Sequence, residues 1–379
     1  MSTPRALVPE TNNPLGESAD RGFTLPASYY TDQAIYELEK ENIFYRSWQY
    51  VCHESNLTNP GDYATKQIAD ENIFVIRDDN GTLRGFYNVC RHRAHQLLQG
   101  RGNSGRIVCP YHAWAYSRSG ELTFARNSEL VTDFDAQQFC LRAVNIENFL
   151  GFIFVNLSET VEPLNSLAAD LYTDIREKIP YIDQLSLKEP SVFGGNGIRA
   201  GWKVVVDNYL ECYHCANAHL DFSDIIDMNC YQMDTFGLWS RQIGTKTKPQ
   251  NSAYPFSSTD QQQDAVFWYL WPNTTLFSLP GTPNLSVMSI DPMDADYSIF
   301  AGDIFGLDNY ELNDSRINYV NVILGPEDQR LCESVQLGLR SRSYNQGRFI
   351  VNSKHLGTAE HAVHQFHMHV FEALESSSQ

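Results

Sequence analysis

Four residues with metal-ligand chemistry come in two short pairs. Cys90 and His92 lie in Cys90-Arg91-His92, and after sixteen intervening residues Cys109 and His112 lie in Cys109-Pro110-Tyr111-His112. Two thiolates and two imidazoles suit either a tetrahedral Zn²⁺ or a [2Fe–2S] cluster with both cysteines on one iron and both histidines on the other. One Cys and one His in each loop favours the cluster, because each loop then gives a ligand to each iron. Gly102, Gly105 and Pro110 supply tight turns that can aim N–H groups at the sulfurs. His95 is read as a neighbour that hydrogen-bonds or packs beside the loop, not as a ligand.

A second constellation, Glu211, His214 and His219, lies between Gly201 and Phe222. On a helix Glu211 and His214 share a face about one turn apart. His219 falls off that stripe, so the helix is expected to end or distort near Ala216 to Ala218. Two histidines and a distant carboxylate are the ligand set of non-haem Fe(II) sites with positions open for O₂. Two surface histidines on a helix are the plainer alternative. Glu327 and Asp328 could supply the carboxylate, although both open a helix, where acids are favoured by exposed N–H groups alone. Cys212 and Cys215 form a C-x-x-C with no second pair nearby and are expected to be reduced packing residues. His361, His364, His367 and His369 share a helix with core-type Val363, Phe366 and Val370, and are expected to be incidental on a partly exposed helix.

These residues need a scaffold of two kinds. Helices are predicted from Thr31, as N-cap, to Trp48, and over Leu164 to Lys178, Trp202 to Cys215 and Gln329 to Arg340. Short strands around Ile73 to Ile76, Leu83 to Val89 and Phe152 to Asn156 make a β-rich stretch, and Val266 to Leu270 and Asn284 to Ile290 are predicted strands further on. A chain of 379 residues can hold two domains. The predicted division is a flexible arm over 1–30, a helix over 31–47, a β domain over 48–156 and a mixed domain over 157–379. A net charge of −18 disfavours nucleic acid and anionic membranes. The N-terminus has no apolar signal core and no apolar run reaches bilayer length, so a cytoplasmic location with reduced thiols is expected.

Cys-Arg-His-Arg-Ala-His and Cys-Pro-Tyr-His-Ala-Trp resemble the Rieske motif, and Asn-Tyr-Leu-Glu-Cys-Tyr-His with His219 resembles the iron helix of Rieske non-haem iron oxygenases. The resemblance spans the chain from about Thr31 to Leu374. It implies an α+β fold: a small all-β Rieske domain, and a larger catalytic domain with an antiparallel sheet and helices of helix-grip type. It implies a Rieske [2Fe–2S] cluster on Cys90, His92, Cys109 and His112, and a mononuclear non-haem Fe(II) on His214, His219 and Asp328, with Glu327 the neighbouring alternative. Glu211 matches an acid that bridges the cluster of one subunit to the iron of the next in a homotrimer. Most ring-hydroxylating relatives have Asp there. Glu resembles the branch acting on quaternary ammonium compounds, with carnitine foremost and glycine betaine, stachydrine or γ-butyrobetaine as alternatives.

A quaternary ammonium ion is held by aromatic faces and carboxylates. Tyr209, Phe267, Trp268, Tyr269, Trp271 and Phe277 are the candidates, with strand alternation setting Trp268 apart from Phe267, Tyr269 and Trp271. No flavin or nicotinamide motif is visible, so a separate flavin/iron–sulfur reductase is the expected electron source. Two other classes remain: an aromatic-ring dioxygenase, and an electron carrier or zinc module that would leave the second constellation unexplained.

Overall fold

A computed structural model describes residues 15, 18–190, 197–308 and 314–375. It divides into two compact units, one spanning Phe44–Leu167 and the other joining the chain up to Ile43 to everything from Ala168 onward. The first unit thus runs past the expected end at 156. Glu147 is the reason: its carboxylate accepts from the Leu164 and Asn165 backbone N–H groups at 2.6 and 2.9 Å, tying that turn to the β domain.

The first unit contains β1 (Gln49–His53), β2 (Asp62–Ile68), β3 (Glu71–Arg77), β4 (Leu83–Tyr87), β5 (Arg101–Asn103), β6 (Ile107–Val108), β7 (Ala115–Tyr116), β8 (Leu122–Phe124), β9 (Ala143–Phe149) and β10 (Phe152–Asn156). Seven form one antiparallel sheet in the order β1-β10-β9-β4-β3-β2-β5, and β6-β7-β8 form a second. The β3–β4 turn is built by Asp78, whose carboxylate accepts from the N–H groups of Asn80 and Thr82 at 2.9 and 2.8 Å. Gly81 adopts the positive φ that the turn requires.

The second unit is an antiparallel sheet of β11 (Leu185–Pro190), β12 (Tyr231–Thr235), β13 (Trp239–Gly244), β14 (Ala265–Leu270), β15 (Thr274–Ser278), β16 (Asn284–Asp294) and β17 (Tyr297–Leu307), in the order β11-β17-β16-β15-β14-β13-β12. The helices are α1 (Ser28–Thr31), α2 (Gln33–Glu39), α3 (Leu164–Leu167), α4 (Ala169–Lys178), α5 (Trp202–Tyr209), α6 (Cys215–Ala218), α7 (Leu220–Ile225), α8 (Asp314–Asn318), α9 (Gly325–Gly338) and α10 (His361–Glu375); only α3 belongs to the β unit. Buried Glu39 on α2 receives the Trp202 indole N–H at 2.8 Å and pairs with Lys203, fastening α2 to α5. Removing one partner of such a buried pair costs about 3–5 kcal/mol.

Several expectations need correction. The cap of α2 is Asp32, which accepts from Ala34 N–H at 2.9 Å, rather than Thr31. The helix expected over Leu164 to Lys178 breaks at Ala168, and the one expected to reach Cys215 stops at Tyr209. Of the arm expected over 1–30, residues 1–14, 16 and 17 lie outside the described residues. From Ser18 the chain is packed: Leu25, Tyr29 and Tyr30 are buried, and Ala27 N–H donates to Asn345 O at 2.8 Å.

Candidate functional site

The two Cys–His loops of the β unit are folded alike. Cys90 N–H donates to His95 O at 2.8 Å and Ala94 N–H to Cys90 O at 3.0 Å; Cys109 N–H donates to Trp114 O at 2.8 Å and Ala113 N–H to Cys109 O at 3.0 Å. Ala94 and Ala113 both sit at positive φ, 56° and 57°. A left-handed alanine is uncommon, so its recurrence at the same place in both loops marks a shared requirement. Both thiols are buried, while the two imidazoles lie at the surface with ring centres 4.7 Å apart. His92 stacks on Trp114 at 4.8 Å, and His95 points its Nδ1 at Gln96 O instead of joining the set. Burial raises the Cys90 thiol, and the neighbouring Cys109 adds to this; a bound metal reverses that preference by holding the thiolate.

In the second unit three residues do converge on one point. His214 caps α6, His219 is the bend between α6 and α7, and Asp328 lies in the first turn of α9. One ligand atom from each lies within 4.8 Å of the others. Asp328 Oδ1 is 2.8 Å from His219 Nε2 and 3.5 Å from His214 Nε2. Each outer imidazole nitrogen meets its own glutamate. His214 Nδ1 is 2.5 Å from Glu211 Oε1, and His219 Nδ1 is 2.8 Å from Glu327 Oε2. Such carboxylate–imidazole pairs fix the ring tautomer and orientation, leaving Nε2 free for a metal. Burial alone would lower the His214 imidazole, but its bonds to Asp328 and Glu211 outweigh this and push it up to about 9. Burial likewise opposes ionisation of Asp328, yet the two histidines hold its carboxyl below the usual range. An excess of negative charge over a small pocket of nitrogen and oxygen donors is what a dication would neutralise.

Glu211 and His214 are not on one helix, as the sequence suggested. With α5 ended at Tyr209, Glu211 instead shapes the following turn, accepting from the N–H groups of Tyr213 and His214. The same turn brings the Cα atoms of Cys212 and Cys215 to 5.0 Å, and the two are joined in a disulfide. This corrects the expectation that they are reduced, while as packing residues both are buried in a core cluster with Phe222 and Tyr231; the separation is in the range a disulfide spans.

A cavity of about 330 Å³ opens beside the His–His–Asp cluster, with Glu211 also in its wall. Its sheet side is a row in register across three strands: Gln242 on β13, Phe267 on β14 and Phe277 on β15. Tyr209, Phe222, Tyr231 and Phe300 close other sides, and among the described residues no Lys or Arg lines it. Phe267 and Phe277 stack with centres 5.9 Å apart, and Phe222 meets Phe267 at 5.8 Å. Of the six predicted aromatics, Tyr209, Phe267 and Phe277 thus line the cavity. Trp268, Tyr269 and Trp271 do not. Trp268 is on the opposite face, donating to Asp174 at 2.7 Å, while Tyr269 and Trp271 are covered by Phe366 of α10.

Residues 47–135 match the Rieske [2Fe-2S] domain, and residues 172–376 match the catalytic domain of the ring hydroxylating alpha subunit. The chain belongs to the Rieske non-haem iron oxygenases. This oxygenase is 40% identical over 352 residues to the carnitine monooxygenase oxygenase subunit of Escherichia coli (strain K12), covering 91% of this chain and 92% of that one. Its identity to the subunit of the same description from Acinetobacter pittii (strain PHEA-2) is 36%, over 92% and 94% of the two chains. The crystal structure of the quaternary ammonium Rieske monooxygenase CntA in complex with L-carnitine is similar at a TM-score of 0.85 and 33% identity, covering 98% of this chain and all of that one. Naphthalene 1,2-dioxygenase from Rhodococcus sp., at 18% identity and a TM-score of 0.77, shares the fold. As a member of this family the oxygenase uses a Rieske [2Fe–2S] cluster and a mononuclear non-haem iron.

Sequence reasoning missed several parts of the oxygenase. Glu327 was weighed only as a rival ligand, whereas it holds His219 from behind. Phe222, Tyr231, Phe300 and Gln242 carried no signal beyond their residue type. His367, expected to be incidental, is fully buried; its Nδ1 accepts from Leu25 N–H at 3.1 Å and its Nε2 lies 2.9 Å from both Tyr30 Oη and Asp207 Oδ1. It anchors α10 to α1 and α5.

Proposed function

We propose that this chain is the oxygenase component of a two-component monooxygenase that hydroxylates carnitine on the carbon beside its quaternary nitrogen. The carbinol collapses with C–N cleavage, so carnitine, O₂, two electrons and two protons give trimethylamine, malic semialdehyde and water. The observation that carries this reading is the cavity: aromatic faces with acidic neighbours and no Lys or Arg among the described residues, beside the His–His–Asp cluster. A trimethylammonium group offers no hydrogen-bond donor, and such walls attract it through ring quadrupoles and charge. The likeness to carnitine monooxygenase subunits favours carnitine over glycine betaine, stachydrine and γ-butyrobetaine.

In this reading Cys90, His92, Cys109 and His112 hold the cluster, and His214, His219 and Asp328 hold the iron. Bound together, these groups supply O₂ activation and its electrons. The protein's own part is positional. Glu211 and Glu327 keep the Nδ1 protons of His214 and His219 in place. Tyr209, Phe267 and Phe277 hold the cationic head and keep water from the reacting carbon. Glu211 is also the bridge to a cluster histidine of a neighbouring subunit in a homotrimer. That assignment draws on the resemblance and on CntA, whose structure is described as revealing inter-subunit electron transfer. A separate flavin/iron–sulfur reductase supplies the electrons, in the cytoplasm. Among the described residues no helix is long and apolar enough to cross a membrane.

Oxygen uptake and trimethylamine release, measured with a reductase on a panel of the four betaines, test the proposal. Trimethylamine from carnitine at the highest kcat/KM is expected. Turnover of an arene, with no trimethylamine from carnitine, would overturn it.

A further inference from the structure

The helix that carries Asp328 turns one continuous face to the cavity. A π-helical turn, Tyr319–Leu324, runs directly into α9, and Val320, Asn321, Leu324, Asp328 and Cys332 line the wall at spacings of three and four residues. Asn321 and Asp328 are two turns apart on this face, about 10 Å along the axis, with apolar Leu324 between them. Asn321 is half-buried, and its amide has no hydrogen-bond partner among the described residues while keeping accessible surface. It also borders a second cavity of about 20 Å³, which shares Phe277, Leu279 and Val320 with the first and has Arg316 in its wall. Arg316 is 4% exposed, and its Nη1 donates to Thr282 O at 3.1 Å. A guanidinium stays charged even there.

The cavity is therefore polarised along its length. At the metal end stand the carboxylates of Glu211, Glu327 and Asp328, and a bound dication would answer two of those three charges. At the Asn321 end the neighbouring charge is the positive one of Arg316, acting across the shared wall. Two other side chains of the wall have no internal hydrogen bond, the Asn208 amide and the Tyr231 hydroxyl. Asn208 is three residues from Glu211, however, and the Glu211 charge acts on Tyr231, so an anion is disfavoured at both. Resting on the quaternary ammonium reading above, a substrate with a carboxylate at its other end matches this field. In carnitine four bonds separate the nitrogen from the carboxylate carbon, about 5 Å when extended, which the two turns between Asp328 and Asn321 accommodate. We infer that the Asn321 amide, backed by the buried charge of Arg316, binds the carboxylate of a zwitterionic substrate and so sets the carbon beside the ammonium group at the metal end.

The test is anaerobic equilibrium dialysis of the holoprotein with L-carnitine and with carnitinamide, in which a neutral amide of nearly the same shape replaces the carboxylate. Wild type should bind carnitine about 10-fold or more tightly than the amide, the size expected of a hydrogen bond to a charged group. Asn321→Asp keeps the shape of the side chain and makes it negative. Carnitine should then bind at least about 10-fold more weakly than in wild type, whereas the amide, which can donate to the new carboxylate, should bind as before or better. Asn321→Leu, which removes the donor, should narrow the preference for carnitine over the amide. Equal losses of both ligands in either variant would make Asn321 a wall residue alone and overturn the inference, as would no loss of carnitine in either. Equal affinity of wild type for the two compounds would mean that nothing in the cavity answers the carboxylate; the inference then falls while the quaternary ammonium reading stands. If wild type binds neither compound, that reading has failed and the inference falls with it.

Discussion

Replacing Glu211 with Gln separates the two tasks its carboxylate performs. Oε1 lies 2.5 Å from His214 Nδ1, and Oε2 accepts from the N–H groups of Tyr213 and His214. Glutamine has one acceptor oxygen for these two jobs. If that oxygen faces His214, the amide N–H₂ meets the two backbone N–H groups, donor against donor. If it caps the turn, the imidazole loses its acceptor. Either way a charge-assisted bond worth roughly 1.5–3 kcal/mol is lost or weakened, and the ring is less firmly oriented, an effect of about 10–100-fold on activity. Glu211→Ala removes both contacts and should be worse. Both metal sites should still fill, since Glu211 ligates neither. The assay is single turnover of pre-reduced protein with substrate and O₂, following cluster reoxidation against product formed. Expected is a cluster that is reduced normally but discharges slowly. Near-normal single-turnover product from Glu211→Ala would refute the reasoning and reduce Glu211 to a turn former.

The remaining predictions concern the ligands and one titrating group. Asp328→Ala should lose the mononuclear iron by metal analysis while the visible spectrum of the cluster persists. Glu327→Ala should retain iron with affinity about 10–100-fold lower; loss of iron from Glu327→Ala but not Asp328→Ala would exchange their roles. Cys109→Ser should abolish the cluster absorption and labile sulfide, and stoichiometric zinc without sulfide in wild type would contradict the cluster assignment. Glu360 is raised from 4.5 to about 7, chiefly by burial, against a bond from Ile350 N–H and with Glu211 and Asp207 adding to the rise. The folded state then keeps a proton that the unfolded state releases between those values, so this group lowers stability as pH rises through that window. Glu360→Gln removes the effect. Discounted for its partial exposure, the variant should gain on the order of 1–2 kcal/mol over wild type between pH 4.5 and 7, and no more above it, read as the difference in Tm across pH.

What could be read from the sequence was whatever ligation imposes on residue type and spacing. The pairing of Cys90 with His92 and of Cys109 with His112 stood out because the ligands of a cluster must stand at fixed offsets, and packing dictates no such pattern. The strand positions of Phe267 and Tyr269 were equally legible, since alternation places them on one face; Trp271 lies just beyond the end of β14. Their division was not. Phe267 meets the cavity while Tyr269, two residues away on the same face, is covered by Phe366. Which of them is wall and which is core depends on where α10 lies, a tertiary fact that periodicity does not carry. The helix boundary at Tyr209 was hidden for a related reason: no Gly or Pro stands between Trp202 and Ala218. The break is set by the side chain of Glu211, which takes over two backbone N–H groups that a continuing helix would have used. The same competition explains Glu327. An acid in the first turn of α9 is satisfied by exposed N–H groups in any helix, so only the docking of α9 against His219 distinguishes a cap from a carboxylate that orients a ligand. Both glutamates were visible as residues, and both acquire their function from a histidine brought to them by a bend. The symmetry of the pair, one carboxylate behind each imidazole, therefore belongs to the fold rather than to either motif, and it is there that substitutions conservative by residue type should prove costly.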